Sequence, residues 1–380
     1  MKVFLIAGEP SGDRLGGALM AGLKALHPDL TFDGVGGPLM QAEGLNSRFP
    51  MDELSVMGLA EILPKYRALK RRISEMAEAV LATAPDVLIT IDSPDFCLRV
   101  AALVKAQAPV RTVHYVAPSV WAWRPGRAVK MARYIDEVLA LLPFEPPLMQ
   151  AAGMECTFVG HPVVAEPVAT MAEAAAFRAA HGIGEVPLIL ALPGSRKGEV
   201  GRLAPVFGAS IDRVLSVHPN ARVVVPCAAP VAGLVAQLTH KWPGRPILID
   251  PATARPGEKA AAFRAADVAL AASGTVSLEL AANGTPMVIA YQMAWLTHQI
   301  VSRRLLIDTV TLVNLVSETR TVPEFIGPAC RPDRIAEALL ATMANPQAQQ
   351  QAMQLTMERL GQGGEAPGLR AARAVLAGLA

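Results

Sequence analysis

Two stretches far apart in the chain carry residue types that suit a phosphorylated substrate. In Ala271-Ala272-Ser273-Gly274-Thr275-Val276-Ser277-Leu278-Glu279, an apolar run reads as the end of a buried strand and passes into a pattern with helical spacing. Ser273, Gly274 and Thr275 therefore fall at a strand-to-helix junction, where backbone N–H groups, two hydroxyls and a glycine suit a diphosphate. Glu279 lies one turn into that helix; its charge is wrong for phosphate, but it can accept hydrogen bonds from a vicinal diol such as a ribose. The same residues also read as a plain N-cap followed by a surface glutamate.

Leu192-Pro193-Gly194-Ser195-Arg196-Lys197-Gly198-Glu199 follows another apolar run. A glycine, the Ser195 hydroxyl and the cations Arg196 and Lys197 suit a phosphate or an anionic leaving group. Taken alone, this is equally an ordinary turn with solvent-facing cations. Taken with 273–279 it favours a nucleoside-diphosphate pocket, because the carboxyl ends of parallel strands converge. No G-x-x-x-x-G-K-[ST] loop is present, which weighs against an NTPase.

Asp92 follows the apolar run 87–91, a position suited to a general base, whereas Asp95 suits a helix cap; both also read as structural carboxylates. His114 leads into Tyr115-Val116-Ala117-Pro118-Ser119-Val120-Trp121-Ala122-Trp123-Arg124, the most aromatic segment. Aromatic faces beside an arginine suit an amphipathic acceptor, and they equally suit packing. The seven histidines show no metal-ligand spacing; His161 and His298 read as local hydrogen-bonding residues.

The elements that must position these residues alternate in type. Strands are expected at about 3–7, 31–35, 86–91, 111–116 and 137–141, with a helix from about 15 to 26. A second series is expected at 187–192, 221–225, 247–249, 267–271 and 287–290, beyond a Gly/Pro-rich hinge at 159–185. Alternating strands and helices predict α/β domains with parallel sheets. The expected organisation is a first, acceptor-side domain at 1–165, a nucleotide domain at 185–345 and carboxyl-terminal helices at 346–380 that cross to the first domain or to a partner subunit. The two domains are expected to face a central cleft. The loop Gly8-Glu9-Pro10-Ser11-Gly12 lacks GxGxxG spacing and carries an acid, so a redox dinucleotide domain is not indicated.

At 380 residues the chain is long for a single core. Its composition, 52% hydrophobic and 18% charged, excludes a disordered chain, and a formal charge of +2 calls for no nucleic acid. Four scattered cysteines imply a reducing compartment. The amino terminus does not read as a signal peptide and no apolar run has spanning length, so a cytoplasmic protein is expected. Val56, Met57, Leu59, Ile62 and Leu63, bordered by Lys65, Arg67, Lys70, Arg71 and Arg72, fit a helix resting on an anionic bilayer and fit a core helix with a basic solvated face.

The motifs taken together are similar to those of the lipid-A-disaccharide synthase family of bacterial inverting glycosyltransferases. The resemblance rests on Gly8-Glu9-Pro10-Ser11-Gly12-Asp13, Gly34-Val35-Gly36-Gly37-Pro38, Met57-Gly58, Asp92-Ser93-Pro94-Asp95-Phe96, 114–124, Leu142-Pro143-Phe144-Glu145, Gly160-His161-Pro162, Leu192-Pro193-Gly194-Ser195-Arg196, and Ser273-Gly274-Thr275 with Leu278-Glu279, in family order over nearly the whole chain. It implies a GT-B-type glycosyltransferase of two Rossmann-like domains. The implied donor is UDP-2,3-diacylglucosamine, the acceptor is 2,3-diacylglucosamine 1-phosphate, and the product is a β-1,6 disaccharide with release of UDP.

Carried onto this chain, Asp92 is the essential aspartate and Arg196 the important arginine. The implied substrate contacts are Ser11, Arg124, Ser195, Ser273, Gly274, Thr275, Glu279 and Asn314. No metal or cofactor is implied; a homodimer and peripheral attachment to the inner membrane are. Val313 replaces a usual proline, Glu166 a common aspartate and Gly327 a frequent glutamine. The rival readings are a UDP-sugar 2-epimerase, which would activate the same leaving group without an acceptor, and a noncatalytic sugar-nucleotide binding protein.

Overall fold

The computed structural model describes residues 1–54, 59–293 and 305–379, with side chains of 59–66 not included. The surface 56–63 and Lys65, expected at a membrane, thus lie outside the described side chains, as does His298.

The chain forms two compact units, Met1–Ala165 with Gly363–Ala380, and Glu166–Gln362. In the first unit the elements run β1 (Lys2–Ala7), α1 (Pro10–Leu26), β2 (Thr31–Val35), α2 (Pro38–Ala42), α3 (Leu59–Thr83), β3 (Val87–Ile91), α4 (Pro94–Lys105), β4 (Arg111–Tyr115), α5 (Gly126–Met131), β5 (Glu137–Ala140), α6 (Pro146–Ala151) and β6 (Glu155–Phe158). All pairings in its sheet are parallel, in the order β2-β1-β3-β4-β5-β6. β3, Val-Leu-Ile-Thr-Ile, is buried at every position, as expected of a β-branched strand covered on both faces.

The second unit runs α7 (Met171–Ala180), β7 (Leu188–Leu192), α8 (Lys197–Val217), β8 (Arg222–Pro226), α9 (Ala232–Thr239), β9 (Ile247–Ile249), α10 (Glu258–Ala265), β10 (Val268–Ala272), α11 (Val276–Ala282), β11 (Met287–Tyr291), α12 (Leu312–Ser317), β12 (Glu324–Ile326), α13 (Pro332–Ala344) and α14 (Gln347–Arg359). Its sheet is also parallel, ordered β12-β11-β10-β7-β8-β9. The last helix, α15 (Pro367–Ala377), returns to the first unit and packs on α1. A Cβ on Gly22 would meet the Gly368 carbonyl at 2.7 Å, and one on Gly368 would meet the Ala18 carbonyl at 2.5 Å. These glycines lower helix propensity, and the close helix contact they permit is their return.

Two edge strands carry no clear periodicity in the sequence. In β6 exposed and half-buried residues alternate with no fully buried position, and β12 spans three residues. The outer edge of β6 is closed by side chains: Gln150 Nε2 donates to the Cys156 carbonyl at 3.4 Å and Arg370 Nη2 to the Phe158 carbonyl at 2.9 Å. Such caps discourage strand addition. Helix α1 begins at Pro10, earlier than the expected 15, because proline is well suited to the first helical position. Among the helices of the described residues, none is long and apolar enough to cross a membrane.

Candidate active site

In an open parallel sheet, the crevice for a ligand lies at the carboxyl ends of the two strands whose connections leave in opposite directions. In the second unit those strands are β7 and β10, paired with Ala271 opposite Leu192. The turn after each therefore meets the other. Gly194 and Ser195 from the first turn, with Ser273, Gly274, Thr275 and Glu279 from the second, line one cavity of about 210 Å³. Lys259 and Phe263 of α10 complete one wall.

The first turn is shaped by Glu199. Its Oε2 accepts the Ser195 N–H at 3.3 Å, and its Oε1 accepts the Tyr291 hydroxyl at 3.3 Å. Gly194 has φ of +119°, and a Cβ there would meet Glu199 Cβ at 2.8 Å; glycine is the residue that tolerates both. Arg196 stands on the rim, 62% exposed, 3.7 Å from Glu199 Oε1. At the second turn, Ser277 N–H and Oγ both donate to the Gly274 carbonyl, at 3.3 and 2.9 Å. Gly274 itself, at φ of +150°, has open space where a Cβ would point. Glu279 Oε2 accepts from Lys259 Nζ at 2.6 Å, and that ammonium sits 5.1 Å from the Phe263 ring centroid.

Asn314 is not brought to this cavity. It is 1% exposed, its Nδ2 donates to the Val322 carbonyl at 2.9 Å and to Thr309 Oγ1 at 3.2 Å, and its Oδ1 accepts the Val322 N–H at 3.0 Å. Expected as a substrate contact, it is instead placed inside the unit, with both ends of its amide engaged by neighbouring loops. Gly327, the departure from the family's glutamine, has φ of +59°, a conformation that favours glycine.

In the first unit the corresponding strands are β1 and β3, paired with Ala7 opposite Ile91. Ser11 and Asp92 accordingly meet, with Ser11 Oγ 3.4 Å from Asp92 Oδ2. Asp92 and Ser93 both adopt left-handed backbone conformations, φ 51° and 42°. Each such non-glycine residue costs about 1–3 kcal/mol and persists only where its surroundings enforce it. Here the Asp92 N–H is held by the Tyr115 carbonyl at 3.0 Å, and the Ser93 carbonyl accepts from Phe96 and Cys97. Gly8 leaves the space that Ser93 fills: a Cβ would lie 2.5 Å from Ser93 Oγ. Val116 and Arg124, at φ 87° and 53°, add two more strained positions in the loop after β4. Asp95 is different, 94% exposed and 3.9 Å from Arg127.

The aromatic segment is partly packed. Trp121 meets Phe144 edge-on at 5.4 Å and donates its indole N–H to Glu145 Oε1 at 3.2 Å. Glu145 Oε2 accepts the Leu141 and Leu142 N–H groups at 3.2 and 2.9 Å. Burial, opposed by these hydrogen bonds, pushes its carboxyl up to about 7. Arg124 is exposed and stacks 4.2 Å from the Trp123 ring centroid. His114 and His161 are buried, and burial lowers both to about 4. His114 Nδ1 pairs with Thr90 Oγ1 at 2.8 Å, and His161 Nδ1 accepts the Val163 N–H at 3.2 Å. Midway along α3, Arg72 pairs with Glu53 and Glu75 and Arg71 with Glu75, while Arg67 and Lys70, nearer its amino end, are exposed.

Sequence reasoning gave no role to Glu199, Lys259 or Phe263. The four-residue spacing of Lys259 and Phe263 on α10 puts them on one helix face, but nothing in an Ala-rich helix tells which face meets the cavity.

The architecture is that of two Rossmann-like domains of the GT-B kind. Its solved neighbours include the UDP-GlcNAc 2-epimerase from Neisseria meningitidis bound to UDP-GlcNAc, with a TM-score of 0.63, 13% identity, and coverage of 100% of this chain and 99% of that one. The epimerase from Methanocaldococcus jannaschii in complex with UDP-GlcNAc and UDP gives 0.62 at 14% identity, covering 99% of each chain. At such identities the likeness concerns the fold alone.

The model of the family described as Lipid-A-disaccharide synthetase matches residues 3–375, and the chain belongs to that family. It is 68% identical over 380 residues to the lipid-A-disaccharide synthase of Ruegeria pomeroyi, covering 99% of this chain and 95% of that relative. It is 46% identical over 382 residues to that of Rhodospirillum centenum, covering 99% and 94%. Its activity is therefore the synthesis of a lipid A disaccharide by glycosyl transfer.

Proposed function

We propose that the chain joins UDP-2,3-diacylglucosamine to 2,3-diacylglucosamine 1-phosphate with inversion, giving the β-1,6 disaccharide 1-phosphate and UDP. The observation that carries this reading is the convergence of Ser195 with Ser273, Gly274, Thr275 and Glu279 in one cavity at the carboxyl ends of β7 and β10. Hydroxyls and backbone at its mouth suit the diphosphate, and Glu279 suits the ribose diol. Arg196, on the rim, stabilises the charge that develops as the bond from C1 to the diphosphate oxygen breaks.

Asp92 is the proposed base. It takes the proton of the acceptor 6-hydroxyl as that oxygen bonds to C1 of the donor from the face opposite the departing UDP. Ser11 is the proposed neighbour that orients it, and the double left-handed turn at Asp92 and Ser93 is the kind of strain that accompanies functional positions. Arg124 is the proposed contact for the acceptor phosphate, exposed as it is beside Trp123.

Peripheral attachment to an anionic inner-membrane surface through the region 56–72, and a homodimer, complete the proposal. With Arg71 and Arg72 held in ion pairs, Arg67 and Lys70 are the remaining described cations of this region that support a surface contact. Replacing both with glutamine should weaken binding to phosphatidylglycerol vesicles; unchanged binding removes the membrane from the proposal. Light scattering across protein concentrations tests the dimer, and a monomer throughout discards it.

The deciding experiment supplies both acylated monosaccharides and determines the product by mass spectrometry and NMR of the new linkage. A β-1,6 disaccharide appearing with UDP is expected. Epimerised donor, or a product with retained configuration at C1, overturns the proposed mechanism.

A further inference from the structure

The walls of the second unit's cavity carry two carboxylates, Glu199 and Glu279, and, among the described residues, one cation, Lys259. Arg196 stands outside that lining on the loop rim. A nucleoside diphosphate entering such a cavity meets like charge from both glutamates, so a cation within the wall decides whether it can be held.

Lys259 is placed to be that cation. Its ammonium lies 2.6 Å from Glu279 Oε2 and 5.1 Å from the centroid of Phe263, a residue only 1% exposed. A carboxylate thus holds it from one side and an aromatic face from another, while its side chain still lines the cavity. The pair is partly open to solvent, 55% for Lys259 and 31% for Glu279. Exposed pairs of this kind are weak and exchange partners readily. Lysine is also a compact charge on a flexible stem, suited to following a phosphate.

We propose that Lys259 is a donor-binding residue that contacts the diphosphate, and that its pairing with Glu279 is the resting arrangement which the nucleotide displaces. On binding, the ammonium passes to a phosphate oxygen and the Glu279 carboxylate is left to accept from the ribose hydroxyls. This deepens the donor assignment proposed above and rests on it.

Isothermal titration of uridine, UMP and UDP into the full-length protein, Lys259→Gln and Glu279→Gln separates the roles. Lys259→Gln should weaken UDP about tenfold to a hundredfold, with uridine changed less than about threefold, and should flatten the salt dependence of UDP affinity. Glu279→Gln should weaken uridine and UDP by similar factors. Equal weakening of uridine and UDP by Lys259→Gln overturns the proposal, since the lysine would then only orient Glu279. Unchanged UDP affinity in Lys259→Gln overturns it also. If the unaltered protein binds neither uridine nor UDP, the donor assignment itself fails. Thermal melting of each variant checks that the fold is retained.

Discussion

Asp13 caps the helix that begins after Gly37: its Oδ1 accepts the Gly37 N–H at 2.9 Å and the Met40 N–H at 3.0 Å, while Oδ2 accepts that of Leu39 at 3.0 Å. A Cβ on Gly37 would meet Asp13 Oδ2 at 2.6 Å. The opening motif and the glycine pair that follows β2 are therefore one structural device. Asp13→Ala should lower unfolding free energy by about 2–4 kcal/mol, because three N–H groups, those of Gly37 and Met40 buried and that of Leu39 partly so, lose their acceptor. Urea denaturation followed by circular dichroism measures this, and an unchanged midpoint removes Asp13 from the first unit's framework.

Replacement of the proposed base should separate chemistry from folding. Asp92→Asn is expected to lower kcat by about 100-fold to 10,000-fold, with the melting temperature little changed. Asp95→Asn, at a 94% exposed side chain, should stay within a few-fold of the starting activity. If the two results are reversed, the base is Asp95.

The Glu145 carboxyl, raised by burial from 4.5 to about 7, binds a proton more tightly in the folded chain than in the unfolded one. Its contribution to stability is therefore greatest below about pH 4.5 and is lost as pH rises toward about 7, by roughly 3 kcal/mol. Glu145→Gln should flatten that part of the stability-versus-pH curve. Since Trp121 donates to this carboxyl, a tryptophan fluorescence titration near neutrality should disappear in the same variant. An identical pH profile for both proteins would refute the assignment.

Asn314 is expected to matter for stability more than for the donor. Asn314→Ala strands the Val322 N–H and carbonyl inside the second unit and should cost about 2–4 kcal/mol, while UDP affinity measured below the melting range stays within about threefold. A selective loss of UDP binding with full stability would restore Asn314 to the substrate.

Much of the fold was legible because buried parallel strands are nearly continuous apolar runs: 188–192 and 268–272 are buried at every position. The edge strands β6 and β12 escaped because their sides are only partly covered, so no run marks them. In the site, the glycine and hydroxyl turns were readable from their place after strands. Lys259 was not, since its link to Glu279 joins two helices that the sequence separates. Asn314 shows the opposite case: a polar residue in a motif looks available for a ligand, and only the fold shows its amide buried and engaged by Thr309 and Val322. Glu145 stood in a quoted motif, yet its depth and its bond to Trp121 depend on packing around the end of β5.

The return of α15 onto α1 orders events during synthesis. A chain leaves the ribosome amino end first, and domains usually fold as they emerge. Here the face of α1 around Ala18 and Gly22 waits for Gly368, which follows the whole of the second unit. The second unit can thus close before the first, although the first is begun earlier. A released chain ending at residue 362 should therefore expose α1 to protease while protecting 166–362, and the full chain should protect both; protection of α1 in the shortened chain would show that the amino-terminal unit matures without its last helix.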